Sequence, residues 1–200
     1  MPVLVVGGGA GVGKTTAART LADWHGAGWL QLDTLWLALA EAAAPADRAL
    51  LRVDAAIRQA AVAGDSSSAT VQRLVEQHVA AARWMSAAVA TAVWFEAETH
   101  AMLVVDGAWL LPDDVAALSD RVGEVRAAYL VEPDREALQA TLDSRRAGRP
   151  AQRHHRLVGD VVWAYGQRLA REAEARGLAV VEARPFATQA DRLSDALEVG

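Results

Sequence analysis

The fold is indicated most strongly by one stretch of this chain, Val3-Leu4-Val5-Val6-Gly7-Gly8-Gly9-Ala10-Gly11-Val12-Gly13-Lys14-Thr15-Thr16. The apolar run before the glycines predicts a buried parallel strand, and residues 14–24 have the spacing of a helix. Between them, Gly8 to Thr15 follow the pattern Gly-x-x-x-x-Gly-Lys-Thr. A strand, this loop and a helix in that order predict a phosphate-binding loop.

Each position of the loop has a chemical reason. Backbone N–H groups of the residues before the lysine can turn toward phosphates, and the helix N-terminus adds partial positive charge. These residues are Gly8, Gly9, Ala10, Gly11, Val12 and Gly13. We expect Lys14, the only lysine in the chain, to contact the β- and γ-phosphates of ATP, Thr15 to ligate Mg²⁺, and Thr16 to contact the α-phosphate.

Length and composition set the broad class. A chain of 200 residues fits one α/β domain over residues 1–200, and no apolar stretch reaches the roughly 18 residues that a membrane span needs. The absence of cysteine and of a basic segment before the first strand predicts a cytoplasmic protein. A net charge of −5 predicts neither nucleic acid nor membrane as partner. Oligomeric state is not predicted.

Apolar strands and helices alternate along the chain. The pattern predicts strands at 3–6, 29–33, 101–106, 125–131 and 178–182, with helices between them and a last helix over 188–199. This alternation predicts a mainly parallel five-stranded sheet covered by helices on both faces, a three-layer α/β sandwich.

Two aspartates are predicted to follow strands. Asp33 closes the second strand and Asp106 the third, and ligands bind at the carboxyl ends of strands in such sheets. Asp33 is the candidate base for an acceptor hydroxyl, or else it caps the helix that begins at Thr34. Asp106 is the candidate Mg²⁺ ligand, or else it forms a strand-end turn with Gly107.

Arginines are concentrated near residue 150. Arg145, Arg146 and Arg149 are followed by Arg153, His154, His155 and Arg156. Guanidinium groups suit the spread charge of a transferring phosphoryl group, so we expect a lid over residues 143–156 with Arg145 and Arg149 as candidate catalytic residues. A solvated helix end would also carry arginines.

Residues 34–99 read as mostly helical and form the candidate acceptor-binding region. His78 lies in the apolar stripe of its last helix and is expected to be packed and hydrogen-bonded. Trp84, Trp94 and Phe95 could line an acceptor pocket, although core packing is the commoner role for aromatic residues at helical positions. The alanine, leucine and tryptophan content of this region suggests a partly apolar acceptor.

These elements resemble the nucleoside monophosphate kinase-like group of P-loop proteins, which includes adenylate, shikimate and gluconate kinases. The resemblance spans most of the chain and rests on Gly8 to Thr15, Asp33, Asp106-Gly107 and the lid arginines. It implies the strand order 2-3-1-4-5, a mobile acceptor-binding region, a closing lid, and adenine near Arg184-Pro185.

Shorter elements distinguish members of that group. Leu32-Asp33-Thr34-Leu35 looks like the Asp-Ser/Thr-Leu element of chloramphenicol phosphotransferase-like proteins, in which the aspartate is the proposed base. The Asp-Gly-Phe-Pro-Arg element of adenylate kinase lacks its arginine here, and the Asp-Thr-Asp element of shikimate kinase lacks its second aspartate.

Three functions follow from these features. The first is an ATP-dependent kinase that phosphorylates a hydroxyl of a small molecule. The second is a nucleotide-hydrolysing switch that acts through a protein partner, and the third is a nucleotide-binding regulatory module. An Asn-Lys-x-Asp guanine-reading element is excluded, because Lys14 is the only lysine.

Overall fold

The computed structural model describes residues 2–145 and 154–199, and the side chain of His154 is outside this description. Its strands form one parallel sheet in the order β2-β3-β1-β4-β5. The strands are β1 (Val3–Gly8), β2 (Gly28–Gln31), β3 (Leu103–Asp106), β4 (Val125–Val131) and β5 (Ala179–Glu182). The three-layer class predicted from the sequence and the strand order implied by the resemblance are both confirmed.

Alternation along the central strands creates two cores. Val3 and Val5 of β1 pack on one side, in the larger core, whereas Leu4 and Val6 pack on the other. Both sets are almost completely buried. Because side chains alternate along a strand, a continuous apolar run such as this one requires helices on both faces of the sheet.

Helices cover both faces. The larger core includes residues of α2 (Leu32–Ala42), α3 (Pro45–Leu51), α4 (Val53–Val62), α5 (Ser68–Ala97), α6 (Asp114–Val122) and α8 (His154–Glu174). The smaller core includes residues of α1 (Lys14–His25), α7 (Arg135–Ser144) and α9 (Gln189–Ala196). The acceptor-binding region predicted over residues 34–99 is therefore helical, as expected.

The register of the sheet brings the predicted site residues to one edge. Asp106 at the end of β3 pairs with Val6 of β1 and with Gln31 of β2. The phosphate loop leaves β1 two residues after Val6, and α2 leaves β2 directly after Gln31. Parallel strands thus deliver the loop, the start of α2 and Asp106 to the same crevice.

The prediction that Asp33 closes the second strand is wrong. That strand ends at Gln31, and Asp33 lies in the first turn of α2. The strand is an edge strand, and its last pairing within the described part of the chain is that of Gln31 with Asp106. Capping by Asp33 is also wrong, since Gln31 is the N-cap residue; a carboxylate in a first turn instead favours the positive end of the helix dipole.

Within the described residues, no helix combines the length and the apolar composition that crossing a membrane requires.

Candidate active site

The phosphate loop adopts a backbone that glycine makes accessible. Gly11 and Gly13 both have φ of 88°, in the left-handed region. A Cβ atom on Gly13 would lie 2.5 Å from Oε1 of Gln189. The Gln189 Nε2 donates to the carbonyl of Val12 at 2.8 Å, so this buried amide from α9 supports the loop from behind.

Lys14 lies at the centre of the site. It is 8% exposed, and its Nζ donates to the carbonyl of Gly9 at 2.7 Å. Burial lowers the pKa of Lys14, while the carboxylates of Asp33 and Asp106 act in the opposite direction. A buried ammonium between two carboxylates is placed to gain from additional negative charge, such as that of phosphate groups.

Asp106 is the buried carboxylate of the site. Its Oδ2 accepts from the Thr15 hydroxyl at 2.7 Å, and its Oδ1 accepts from the indole N–H of Trp29 at 2.9 Å. Burial raises the pKa of Asp106, although both hydrogen bonds and the charge of Lys14 oppose the shift.

The residues around Asp106 fit Mg²⁺. A hydroxyl and a carboxylate in direct contact offer the hard oxygen donors that this ion takes. The raised pKa also means that the ionised carboxylate lacks sufficient stabilisation from its protein neighbours. Thr15 and Asp106 are therefore the pair that would hold Mg²⁺.

Asp33 faces the same crevice from α2. Its Oδ1 accepts from the indole N–H of Trp109 at 2.9 Å, and its Oδ2 has no hydrogen bond within residues 2–145 and 154–199. Trp109 is only 4% exposed. A buried indole thus orients an accessible carboxylate and leaves one of its oxygens for another group.

The backbone around Trp109 is held on both sides. The Tyr165 hydroxyl donates to the carbonyl of Ala108 at 2.6 Å, and the Tyr129 hydroxyl donates to the carbonyl of Leu110 at 3.1 Å. Burial raises the pKa of both tyrosines, so both stay protonated donors at neutral pH. The segment that carries the indole is therefore anchored on both sides of Trp109.

Three cavities lie in a row along the site. A phosphate cavity of about 260 Å³ is lined by the loop together with Asp33 and Arg145. On one side a second cavity of about 360 Å³ shares Gly13, Thr16 and Arg145 with it. We call it the base cavity, for nucleobase, because it lies beside the predicted adenine region. On the other side an acceptor cavity of about 250 Å³ shares Ala10, Lys14 and Asp33 with it.

The base cavity lies between α1, the end of α7 and the residues after β5. Phe186 and Ala187 line it, just beyond the Arg184-Pro185 position that the resemblance implies for adenine. Arg184 itself pairs with Glu132 at 2.6 Å and lies over the Phe186 ring at 4.8 Å. The predicted adenine region is thus adjacent to the phosphate loop.

The acceptor cavity has one strongly aromatic side. Trp36 stacks on Trp109 with a ring-centroid distance of 4.9 Å, His78 lies 4.9 Å from Trp109, and His78 stacks on Tyr165 at 4.2 Å. Aliphatic side chains of α4 and α8, together with Asp54 and Arg58, complete the lining. The expectation that His78 is packed is met, but its Nδ1 has no hydrogen-bond partner among the described residues.

Solved structures with the same architecture were found. A gluconokinase from Sinorhizobium meliloti 1021 is 14% identical with a TM-score of 0.57, covering 98% of this chain and 91% of its own. A shikimate kinase from Bacteroides thetaiotaomicron is 15% identical with a TM-score of 0.51, covering 100% and 99%. A putative kinase from Chloroflexus aurantiacus j-10-fl is 14% identical with a TM-score of 0.52, covering 98% and 96%. The chain has the fold of the P-loop kinases.

These similarities show the P-loop kinase fold and nothing more specific, because all three sequence identities are below 25%. No family model matches the chain, and no curated protein matches it. The fold implied by the resemblance in the sequence is therefore confirmed by structure alone.

Not every sequence prediction falls on this candidate site. Trp84, Trp94 and Phe95 are 40%, 37% and 60% exposed and do not line the acceptor cavity. Both interpretations of these residues, pocket lining and core packing, are wrong. They occupy solvent-exposed positions of α5, because other residues of that long helix form its buried stripe.

The predicted lid is only partly described. Arg145 lines both the phosphate cavity and the base cavity, and its catalytic role stays a prediction. Arg146, Arg149 and Arg153 lie outside the described residues. Arg156 pairs with Glu136 at 2.6 Å on the protein surface.

Sequence reasoning missed the side chains that support the two carboxylates and line the acceptor cavity. These are Trp29, Trp36, Trp109, Tyr165 and Arg58. One signal was available, since Trp109 follows the strand-ending Asp106-Gly107 by two residues. Trp29 reaches the site through strand pairing and Trp36 through the helix that carries Asp33, whereas Arg58 and Tyr165 reach it only through the packing of other helices.

Proposed function

We propose that this protein is an ATP-dependent kinase that transfers the γ-phosphoryl group to a hydroxyl of a small molecule. One observation carries the proposal: Lys14 and Asp33 line both the phosphate cavity and the acceptor cavity. An ammonium for phosphate and a carboxylate for a hydroxyl therefore meet at the boundary between two compartments. A nucleotide-hydrolysing switch has no need for an acceptor compartment.

The loop and its neighbours would bind and orient the nucleotide. Backbone N–H groups of residues 8–15 and the Nζ of Lys14 supply positive charge to the β- and γ-phosphates. Thr15 and Asp106 would hold Mg²⁺, which when bound neutralises phosphate charge during transfer. Arg145 is placed between the base and phosphate cavities, where it can contact the nucleotide.

Asp33 would act on the acceptor. Its Oδ1 is held by Trp109, so its Oδ2 is the oxygen that can accept the proton of the acceptor hydroxyl. The acceptor oxygen forms a bond to the γ-phosphorus while the bond from that phosphorus to the β,γ-bridging oxygen breaks. The products are the phosphorylated acceptor and ADP, and the proton passes from Asp33 to solvent.

The role of Asp33 is tested by Asp33→Asn. We expect the rate of phosphoryl transfer to fall by about 10²–10⁴-fold, with the dissociation constant of ATP nearly unchanged. Asp47→Asn is the matched control, because Asp47 is also an acid in the first turn of a helix but does not line any of the three cavities. Transfer by Asp33→Asn at the wild-type rate would show that this carboxylate is not the base.

A further inference from the structure

The acceptor cavity is specific enough in its chemistry to indicate a class of acceptor. This inference rests on the proposed function and concerns the same site. The volume of the acceptor cavity, about 250 Å³, is slightly below the range of roughly 300–1,000 Å³ typical of small-molecule pockets. The acceptor part of the substrate is therefore compact.

The wall near Asp33 is aromatic. Trp36, Trp109, His78 and Tyr165 form a continuous chain of rings with centroid distances of 4.2–4.9 Å. Trp109 joins this chain to the reacting end of the cavity through its hydrogen bond to Asp33. Aromatic surfaces gain more from contact with another ring than buried area alone provides.

The charged side chains that line the cavity offset one another in number. Arg58 donates to Asp54 at 2.8 Å, and Arg52 forms a two-pronged contact with the same carboxylate at 2.9 and 3.2 Å. Lys14 donates to the Gly9 carbonyl and faces the phosphate cavity. The two cations of the lining, Lys14 and Arg58, are thus matched by two carboxylates of the same lining, so an acceptor carboxylate finds no net positive charge among the described lining residues.

His78 adds to the uncharged character of this wall. Burial and the nearby charge of Lys14 lower its pKa to about 4, so the imidazole is neutral at pH 7. Its ring stacks on Tyr165, and its Nδ1 lacks a hydrogen-bond partner within the described chain. An anionic acceptor would find a neutral ring here and the carboxylate of Asp33 beside it.

We propose that the acceptor is a compact, uncharged alcohol built on an aromatic ring, whose ring packs against Trp36, Trp109 and His78 while its hydroxyl reaches Asp33. Polyhydroxy acids are disfavoured by the same cavity, since it offers them aromatic surface and no net positive charge. The hydroxyl of such an alcohol would be phosphorylated by the step described above.

The test compares 2-phenylethanol with 2-cyclohexylethanol, two alcohols of the same chain length that differ in the ring, and includes gluconate as a polyhydroxy acid. Binding to the full-length protein is measured by ligand-observed NMR titration with ADP and Mg²⁺ present. We expect the aromatic alcohol to bind about 2- to 12-fold more tightly than its saturated counterpart, and gluconate to bind more weakly than both.

Variants test whether Trp36 is responsible for the preference for the aromatic alcohol. Trp36→Leu should reduce it and Trp36→Phe should retain it, whereas Trp84→Leu, which changes an exposed tryptophan outside the cavity, should leave it unchanged. Equal or undetectable binding of the two alcohols, or tighter binding of gluconate, overturns the inference. A preference that survives Trp36→Leu with wild-type size also overturns it.

A parallel assay with ATP separates this inference from the proposed function. Lys14-dependent phosphorylation of gluconate would sustain a kinase and overturn the aromatic acceptor. Ring-selective binding without phosphorylation of any bound alcohol would sustain the class of ligand and count against the kinase.

Discussion

The indole N–H of Trp109 donates to Oδ1 of Asp33 at 2.9 Å across a sequence separation of 76 residues. A second tryptophan, Trp29, makes the equivalent contact with Asp106 at 2.9 Å. Each candidate carboxylate is thus oriented by an indole, a donor that cannot accept a proton or bear a charge at neutral pH. The two acids differ in exposure, because Asp106 is buried whereas Asp33 is accessible.

Trp109→Phe keeps an aromatic ring and removes the donor to Asp33. A hydrogen bond to a charged group is worth about 1.5–3 kcal/mol, so we expect kcat to fall by about 10- to 100-fold with little change in the dissociation constant of ATP. Steady-state kinetics with the identified acceptor provide the measurement. Trp163→Phe is the control, because its indole donates to the Pro133 carbonyl and it does not line any of the three cavities. Equal loss of kcat in both variants would contradict a specific role for Trp109.

Trp29→Phe removes a hydrogen bond that lowers the pKa of Asp106. Burial already raises this pKa, so the variant should raise it further. Because only the ionised carboxylate can hold Mg²⁺, the acid limb of the pH–rate profile should move to higher pH, and more Mg²⁺ should be needed for half-maximal rate. Titrations of Mg²⁺ over a pH series measure both effects, with Trp84→Phe as the control. An unchanged acid limb would show that Trp29 does not tune this acid.

His78 should make the protein less stable in mild acid. Its pKa is about 4 in the folded protein against an ordinary value of 6.5, so the unfolded chain binds the proton more readily between these values. Stability is therefore fully present above about pH 6.5 and decreases as the pH falls toward about 4, by up to about 3 kcal/mol. His78→Leu should flatten this part of the curve in urea denaturation, while His100→Leu, an exposed position, should not. A parallel loss of stability in wild type and His78→Leu would refute the assignment.

Gly13→Ala tests the backbone of the phosphate loop. Alanine at a positive φ costs about 1–2 kcal/mol, and here its Cβ would also meet the Gln189 amide. Gly64→Ala is the matched control, since Gly64 has φ of 73° and a Cβ atom there would meet nothing within 4 Å. We expect both variants to lower the free energy of unfolding, Gly13→Ala by more, and only Gly13→Ala to lose ATP binding. Normal ATP affinity in Gly13→Ala would mean that this geometry is not required for phosphate binding.

The sequence was sufficient for the sheet and the loop because both depend on local pattern. The run from Val3 to Val6 is apolar on both faces, and the glycines that follow leave few alternatives to a strand and a phosphate-binding turn. The position of Asp33 could not be read correctly, because where β2 ends depends on its pairing with β3 and not on its own residues.

The acceptor cavity was beyond sequence reasoning for a different reason. Trp36, His78, Trp109 and Tyr165 come from four separate segments, and each alone has the pattern of an ordinary packed aromatic residue. Conversely, Trp84 and Trp94 belong to a residue type that is common in ligand pockets, but both are exposed to solvent. Which aromatic residues meet is decided by how α2, α5 and α8 pack against the sheet.

Phosphoryl transfer itself is the most direct test of the account. The protein and its Lys14→Ala variant are incubated with ATP, Mg²⁺ and a panel of hydroxyl-bearing small molecules, and products are identified by mass spectrometry. We predict an acceptor that gains one phosphoryl group with the wild-type protein, with a loss of product in Lys14→Ala. Tight ATP binding with no phosphorylated product from any acceptor, or ATP hydrolysis only on addition of a protein partner, would contradict a small-molecule kinase.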